Sequence, residues 1–222
     1  MKSFILKTFV LKSLLLLLLV TTSFSQRPPL GIFKSNSDIG NPKLKGSVMF
    51  NPETGEYVIE GAGYNIWLDR DEFQYLWKKI KGDFILKATV EFVGQGVEAH
   101  RKIGWMIRND LSTGSPHVSA VVHGDGLTSL QYRDTVGGVT KEVRSADQAP
   151  DFIQLERKGN DFYMSTASGN EPLKTVQVEN IILNDKIYIG LFVCSHNPDV
   201  MEKATFREVF VTKLSIDEKH QK

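Results

Sequence analysis

Four polar side chains lie in the middle of short segments in which apolar and polar residues alternate. They are Arg108, His123, Gln131 and Arg133. Period-two alternation places such residues on one face of a β-strand, and arginine is almost never buried without a partner, so this face should point toward solvent or a polar groove. Guanidinium and amide groups would recognise sugar hydroxyls or uronate carboxylates there. The alternative is that they form ordinary solvated pairs between strands.

Flat aromatic rings are the second requirement of a saccharide site, because the apolar face of a pyranose packs on a ring while its hydroxyls take polar partners. The candidates are Trp67, Tyr75, Trp77 and Trp105. Core packing is the better explanation for Trp105. Trp67 and Trp77 lie in or beside a loop-like segment, which favours a binding role, and Trp67 joins the predicted site. His196, in CSHNPD, should end a strand and either cap backbone carbonyls or face the groove.

Three carboxylates lie close together in the stretch WLDRDEFQY, at Asp69, Asp71 and Glu72. Calcium takes six to eight oxygen ligands, so Asp69 and Asp71 are weak calcium candidates, although the twelve-residue helix–loop–helix calcium pattern is absent. We predict no obligatory cofactor. The histidines are dispersed and only one cysteine is present, which argues against a transition-metal site. Glu72 is assigned to the predicted ligand-binding site.

A glycosidase would need two carboxylates held roughly 5 to 10 Å apart across the glycosidic bond that it cleaves. The Glu-x-Asp-x-x-Glu pattern, with which one class of glucanases supplies its carboxylates from a single strand, is absent, and Glu72 has no evident partner on its own face. A Gly-x-Ser-x-Gly elbow and a phosphate-binding glycine motif are absent as well. We therefore predict no catalytic residues, and a glycosidase that uses Glu72 is the alternative.

The elements that must position these side chains are strands. The segment Ser47 to Ile59 reads as a hairpin, and Phe84 to Val93 alternates cleanly between two faces. Gly, Asn, Asp or Pro separates the runs that follow, and this pattern predicts one all-β sandwich or barrel. The segment DRDEFQYLWKKI has both helical and strand spacing, and we interpret it as a loop that leads into a strand.

The N-terminus reads as a secretion signal over residues 1–25, because three lysines precede an apolar run that is too short to span a bilayer. An extended arm (26–37), one sandwich domain (38–214) and a flexible tail (215–222) should follow. The formal charge is +1, and removal of the three signal lysines leaves −2, so nucleic acid is not an expected partner. We expect an exported protein, periplasmic or extracellular, with no stable membrane insertion after cleavage. Cys194 should be buried.

Several segments together resemble a known family. They are DIGNPKLKGS, YNIWLDRDEFQYLWKKIKGDFIL, RKIGWMIRNDLS, VVHGDGLTSLQYR, IQLERKGNDFYM and GLFVCSHNPDVMEKATFREVFV, in that order. The chain is similar to the secreted DUF1349 family over about Asp38 to Val211. The resemblance implies a concanavalin A-like jelly-roll β-sandwich of two antiparallel sheets, and short secreted members are often labelled TolB-like or associated with biopolymer transport. The fold alone does not imply a function.

Three functions follow as hypotheses. The first is a noncatalytic module that binds a carbohydrate or cell-envelope polymer on the concave sheet face. The second is a glycoside hydrolase-like enzyme of jelly-roll fold. The third is an envelope protein-interaction domain associated with TolB-like transport. The sequence predicts neither the oligomeric state nor the identity of the ligand.

Overall fold

The computed structural model describes residues 29–214, which form strands and connecting turns without a helix. In chain order the strands are β1 Ser35–Ile39, β2 Ser47–Asn51, β3 Glu56–Gly63, β4 Phe73–Lys81, β5 Phe84–Phe92, β6 Lys102–Arg108, β7 His117–His123, β8 Thr128–Arg133, β9 Lys141–Arg144, β10 Phe152–Lys158, β11 Asp161–Ala167, β12 Lys174–Val178, β13 Lys186–Cys194 and β14 Asn197–Lys213. The predicted signal (1–25) and tail (215–222) lie outside the described residues. Residues 35–37, predicted as part of an extended arm, belong to β1.

The strands form two antiparallel sheets of seven strands each. We call the sheet with the order β1-β4-β13-β6-β7-β8-β9 the front sheet, and the sheet with the order β12-β11-β10-β5-β14-β3-β2 the back sheet. Consecutive strands from β3 to β6 alternate between the two sheets, so the chain crosses repeatedly from one layer to the other. The predicted all-β sandwich of two antiparallel sheets is confirmed. Residues 29–214 contain no helix of the length and apolarity needed to cross a bilayer.

The main core lies between the sheets and follows from the period-two pattern. In β5, Phe84, Leu86, Ala88 and Val90 point into it and are buried, and Trp105 of β6 is buried in the same cluster. Burying a large apolar side chain stabilises the fold by about 1.5–3 kcal/mol. The core role predicted for Trp105 is confirmed.

The segment with mixed helical and strand spacing is a loop followed by strand β4, as predicted. Leu76 points into the main core, whereas Phe73 and Tyr75 pack in a second apolar cluster on the outer face of the front sheet. Because β4 is apolar on both faces, its residues at i, i+3 and i+4 imitate a helical stripe. The second cluster also contains Cys194, whose predicted burial is confirmed, and burial raises the pKa of its thiol.

A loop over residues 64–72, which we call the covering loop, lies on the outer face of the front sheet. Its two ends meet closely at Gly63, where φ is +131° and a Cβ atom would lie 2.0 Å from the carbonyl oxygen of Glu72. Only glycine fits such a contact with this φ. An isolated bridge pairs Ile66 with Asp71, and the Asp71 amide donates to the carbonyl of Thr113 at 2.9 Å. These contacts hold the loop over strands β6–β8.

Candidate functional site

Outward-facing side chains of the front sheet form rows, because β6, β7 and β8 pair in register. One row joins Arg108, His117 and Arg133. Another row, toward the opposite end of β6 and β7, joins Lys102 and His123. All residues of β6 and β7 are buried, since the main core covers one face and the covering loop and the second apolar cluster cover much of the other.

The first row contains a fully buried ion cluster. Arg133 donates to both carboxylate oxygens of Asp71, from Nη2 to Oδ1 at 2.8 Å and from Nη1 to Oδ2 at 2.9 Å. Arg108 Nη2 donates to Oδ2 at 3.2 Å. None of the three side chains is exposed. Burial raises the pKa of Asp71, while hydrogen bonds from Arg133 and the charges of both arginines act in the opposite direction. The cluster fastens the covering loop to the sheet.

The prediction that Arg108 and Arg133 face solvent and offer donors to a ligand is therefore wrong. Arg108 Nε donates to the carbonyl of Asp110 at 2.7 Å, and Arg133 Nε donates to the carbonyl of Gly138 at 2.7 Å. The remaining guanidinium contacts go to Asp71, to the sulfur of Met106 and to loop oxygens, including those of Leu68 and Ser112. The partner that permits their burial is a carboxylate on a distant loop, which the alternation of β6 and β8 does not reveal.

The predicted acidic residues of the covering loop do not form one site. Asp71 is held by two arginines, and their positive charges disfavour a calcium ion at its oxygens. Asp69 is exposed. Glu72 pairs with Arg70 at 2.9 Å and faces a cavity that Tyr64, Leu68 and Asp69 also line.

A pocket of about 210 Å³, which we call the front pocket, lies on the outer face of the front sheet beside the covering loop. Strands β6 to β9 supply its floor, and the covering loop and neighbouring turns supply its walls. Its lining residues are Asn65, Trp67, His100, Lys102, His123, Leu127, Gln131, Glu142, Arg144 and His196. Four of the seven residues predicted to bind a ligand therefore meet here, namely Trp67, His123, Gln131 and His196.

The floor of the front pocket holds two buried polar groups without a complete set of partners. Gln131 Nε2 lies 3.2 Å from His123 Nε2 and 3.2 Å from the hydroxyl of Ser129. His123 Nδ1 and Gln131 Oε1 are buried, and neither has a hydrogen-bond partner. Buried polar atoms are nearly always paired, so two unpartnered atoms on neighbouring side chains of one pocket floor are unusual.

The walls of the pocket are fixed by main-chain and side-chain contacts. The carbonyl of Trp67 accepts a hydrogen bond from the amide of Thr140 at 2.8 Å, which ties the covering loop to the segment before β9. Arg144 Nε pairs with Glu142 Oε1 at 2.7 Å on β9. His196 has a φ of +60°, which turns the chain after β13 and directs the ring into the pocket, where it lies 5.7 Å from the ring of His100.

Several pocket residues were not predicted. Lys102 lies on the same outer face of β6 as Gly104, Met106 and Arg108. Extending the alternation by two residues toward the start of the strand would therefore have placed Lys102 with them. Glu142 and Arg144 lie on β9, a strand of only four residues whose sequence KEVR has a weak strand pattern. Asn65 lies in the covering loop and His100 in the turn before β6, and in such segments sequence spacing carries no information about proximity.

Three residues at the edge of the pocket have a metal-ligand donor set. Ligand atoms of His100, His123 and Asp125 all lie within 4.8 Å of one another, and His100 Nδ1 is 4.0 Å from Asp125 Oδ2. The ammonium of Lys102, next to His123 in register, opposes a cation at this place. For that reason we do not assign a metal to these residues.

Acidification is expected to destabilise the protein below about pH 6.5, because two buried histidines resist protonation. Burial lowers the pKa of His117 well below the usual value, and burial together with the charge of Lys102 lowers the pKa of His123 to about 3. The unfolded chain then binds protons that the folded chain does not, so the free energy of unfolding should fall by about 1 kcal/mol per histidine between pH 6.5 and 5.5. Urea unfolding at both pH values measures this. A His123→Gln variant with an unchanged pH dependence would contradict it.

Comparison with solved structures defines the class of fold. A functionally unknown protein from Saccharomyces cerevisiae matches with a TM-score of 0.60 at 17% identity, over 82% of this chain and 97% of that chain. Carbohydrate-binding module CBM66 from Bacillus subtilis matches with a TM-score of 0.54 at 13% identity, over 82% and 98%. A family 7 alginate lyase, A1-II′, matches with a TM-score of 0.51 at 11% identity, over 75% and 83%.

These likenesses show that the chain has a jelly-roll β-sandwich fold. At these identities they show the fold alone. No protein-family model matches the chain, and no curated protein sequence matches it. The resemblance to the DUF1349 family stays a prediction.

Proposed function

We propose that this protein is an exported, noncatalytic module that binds a saccharide in the front pocket. One observation carries the proposal: His123 Nδ1 and Gln131 Oε1 are buried at the pocket floor without partners. An unsatisfied buried polar group costs about 1–3 kcal/mol. Small rotations of the His123 and Gln131 side chains would bring these atoms to the pocket surface, where a ligand rich in hydroxyl groups would complete both hydrogen bonds. The side of the pocket formed by Trp67 would take the apolar face of the sugar ring.

The size of the front pocket supports a small ligand unit. Its volume of about 210 Å³ is below the range of roughly 300–1,000 Å³ typical of sites for drug-sized molecules. One sugar unit, at the end of a chain or within it, is a better match than a long segment. Of the fold neighbours, CBM66 is a carbohydrate-binding module and A1-II′ is an alginate lyase, which is compatible with a saccharide ligand.

A glycosidase role finds less support in the described residues. Glu72, the residue on which that alternative depended, lines a different cavity and pairs with Arg70. Glu142, which does line the front pocket, pairs with Arg144. No feature of residues 29–214 favours the TolB-like interaction hypothesis over saccharide binding. Export to the periplasm or the medium remains part of the proposal and depends on the predicted signal at residues 1–25.

Replacing Gln131 with leucine is expected to weaken saccharide binding about tenfold, because Leu keeps the side-chain bulk and removes the amide that contacts the ligand. A panel of neutral and acidic oligosaccharides identifies the ligand, and calorimetry then compares the wild type with the variant. Gln177→Leu is the matched control, since Gln177 is exposed on β12 of the back sheet. Thermal unfolding verifies that both variants fold. Equal losses in both variants, or no binding across the panel, would refute the proposal.

A further inference from the structure

Lys102 is a buried cation beside the front pocket that has no carboxylate partner. Only 2% of the residue is exposed, and its Nζ donates to Asn65 Oδ1 at 2.8 Å and to the carbonyl of His100 at 3.1 Å. Both acceptors are uncharged. Among the residues that the structure describes, no ion pair includes Lys102.

Other buried cations of the chain are compensated in different ways. Arg101 pairs with Glu202 at 2.6 Å, and Arg108 and Arg133 pair with Asp71. Arg157 lacks a carboxylate partner, but its three nitrogens all donate to main-chain carbonyls. Lys102, by contrast, uses two of its three N–H groups on the protein, and it lines a pocket.

A buried charge is unfavourable unless an opposite charge or a full set of hydrogen bonds compensates it. The charges of Glu142 and Asp125 reach Lys102, but neither carboxylate forms an ion pair with it: Glu142 pairs with Arg144, and Asp125 Oδ2 lies 4.0 Å from His100 Nδ1. The position of Lys102 at the floor of the front pocket therefore leaves an anionic group of the ligand as its partner.

We propose that the saccharide is an acidic one whose carboxylate binds Lys102. This inference rests on the proposed function of the front pocket. His123 Nε2 accepts from the Gln131 amide, which places the imidazole proton on Nδ1, so the ring offers a second donor toward the same anion. The unpartnered Gln131 Oε1 then accepts from a ring hydroxyl. Two donors beside one acceptor match a uronic acid unit, which carries a planar carboxylate and neighbouring hydroxyls.

The test compares ligands that differ only in the charge of this group. Calorimetric titrations would use trisaccharides of galacturonate, glucuronate and mannuronate, each as the free acid and as the neutral methyl ester, with sulfated trisaccharides as a third arm. At least one free acid should bind the wild type about tenfold or more tightly than its ester. In Lys102→Met, which keeps the length of the stem, the difference should fall below about twofold.

Lys79→Met is the matched control, because Lys79 is exposed on β4 of the same sheet and contacts Tyr188 outside the pocket. It should keep the full preference for the free acid. The inference is overturned if esters or neutral sugars bind the wild type as tightly as the free acids do, or if the sulfated trisaccharides bind most tightly. In either case the proposed function, saccharide binding in the front pocket, would still hold. The inference is also overturned if a chelator abolishes uronate binding, because the carboxylate would then bind a cation at His100, His123 and Asp125. Binding of no saccharide in any arm refutes the proposed function as well.

Discussion

Replacing Asp71 with asparagine is expected to lower the free energy of unfolding by about 3–5 kcal/mol. The substitution keeps the shape of the side chain but removes the only carboxylate of residues 29–214 that pairs with Arg108 and Arg133, and all three side chains are fully buried. Two guanidinium charges would remain next to each other without a counter-ion. The NH₂ group of the new asparagine would also face a guanidinium N–H, so that two hydrogen-bond donors would meet without an acceptor.

Urea unfolding measures this change, with Asp69→Asn as the control. Asp69 lies two residues earlier in the same covering loop and is exposed, so the same change of charge should alter stability by less than about 0.5 kcal/mol. A similar effect of both substitutions would show that the ion cluster does not fasten the loop. Because the covering loop also carries Asn65 and Trp67, Asp71→Asn should additionally weaken ligand binding in the fraction that remains folded.

Replacing Trp67 with alanine is expected to weaken saccharide binding about thirtyfold, which corresponds to about 2 kcal/mol. Trp67 is half-buried and lines the front pocket, and its carbonyl is held by the amide of Thr140, so its position does not depend on the ring alone. Removing the indole would take away the apolar wall on which the sugar ring packs, while the backbone of the loop keeps its anchor.

Trp77→Ala is the control for this prediction. Trp77 is also half-buried on the front sheet, but it packs on Tyr188 and donates from Nε1 to the hydroxyl of Ser37, away from the front pocket. Calorimetry with the saccharide selected by the panel should show unchanged affinity for Trp77→Ala. Equal losses of affinity in the two variants would mean that Trp67 acts through general stability and not through contact with the ligand.

Much of the fold could be predicted from the sequence, because each strand of a sandwich that buries one face has apolar residues at every second position. The pattern of Phe84, Leu86, Ala88 and Val90 predicts a strand with one buried face, and the structure has it. Strand β4 was ambiguous because it is apolar on both faces, which removes the alternation on which the prediction depends. Turn residues marked many of the remaining boundaries, but β1 begins inside the predicted arm, and the four-residue β9 was not predicted.

The candidate site could be predicted only in part. The alternation along a strand tells which face of the sheet a side chain lies on, but it does not tell which other segment of the chain covers that face. His123 and Gln131 were placed correctly on the outer face, and they do line a pocket. Arg108 and Arg133 lie on the same face, yet Asp71, at 37 and 62 residues' separation, takes up their charges under the covering loop. A loop has no periodicity, so its path over the sheet is set by tertiary contacts that the sequence does not display.

The central claim is that the front pocket holds the saccharide. A crystal structure of the protein with the saccharide selected by the panel tests this claim most directly. We expect the sugar ring against Trp67, with hydrogen bonds to Gln131 Oε1 and His123 Nδ1. A saccharide bound instead at the separate cavity beside Asp151 and Arg207, with those two atoms still unpartnered, would contradict it.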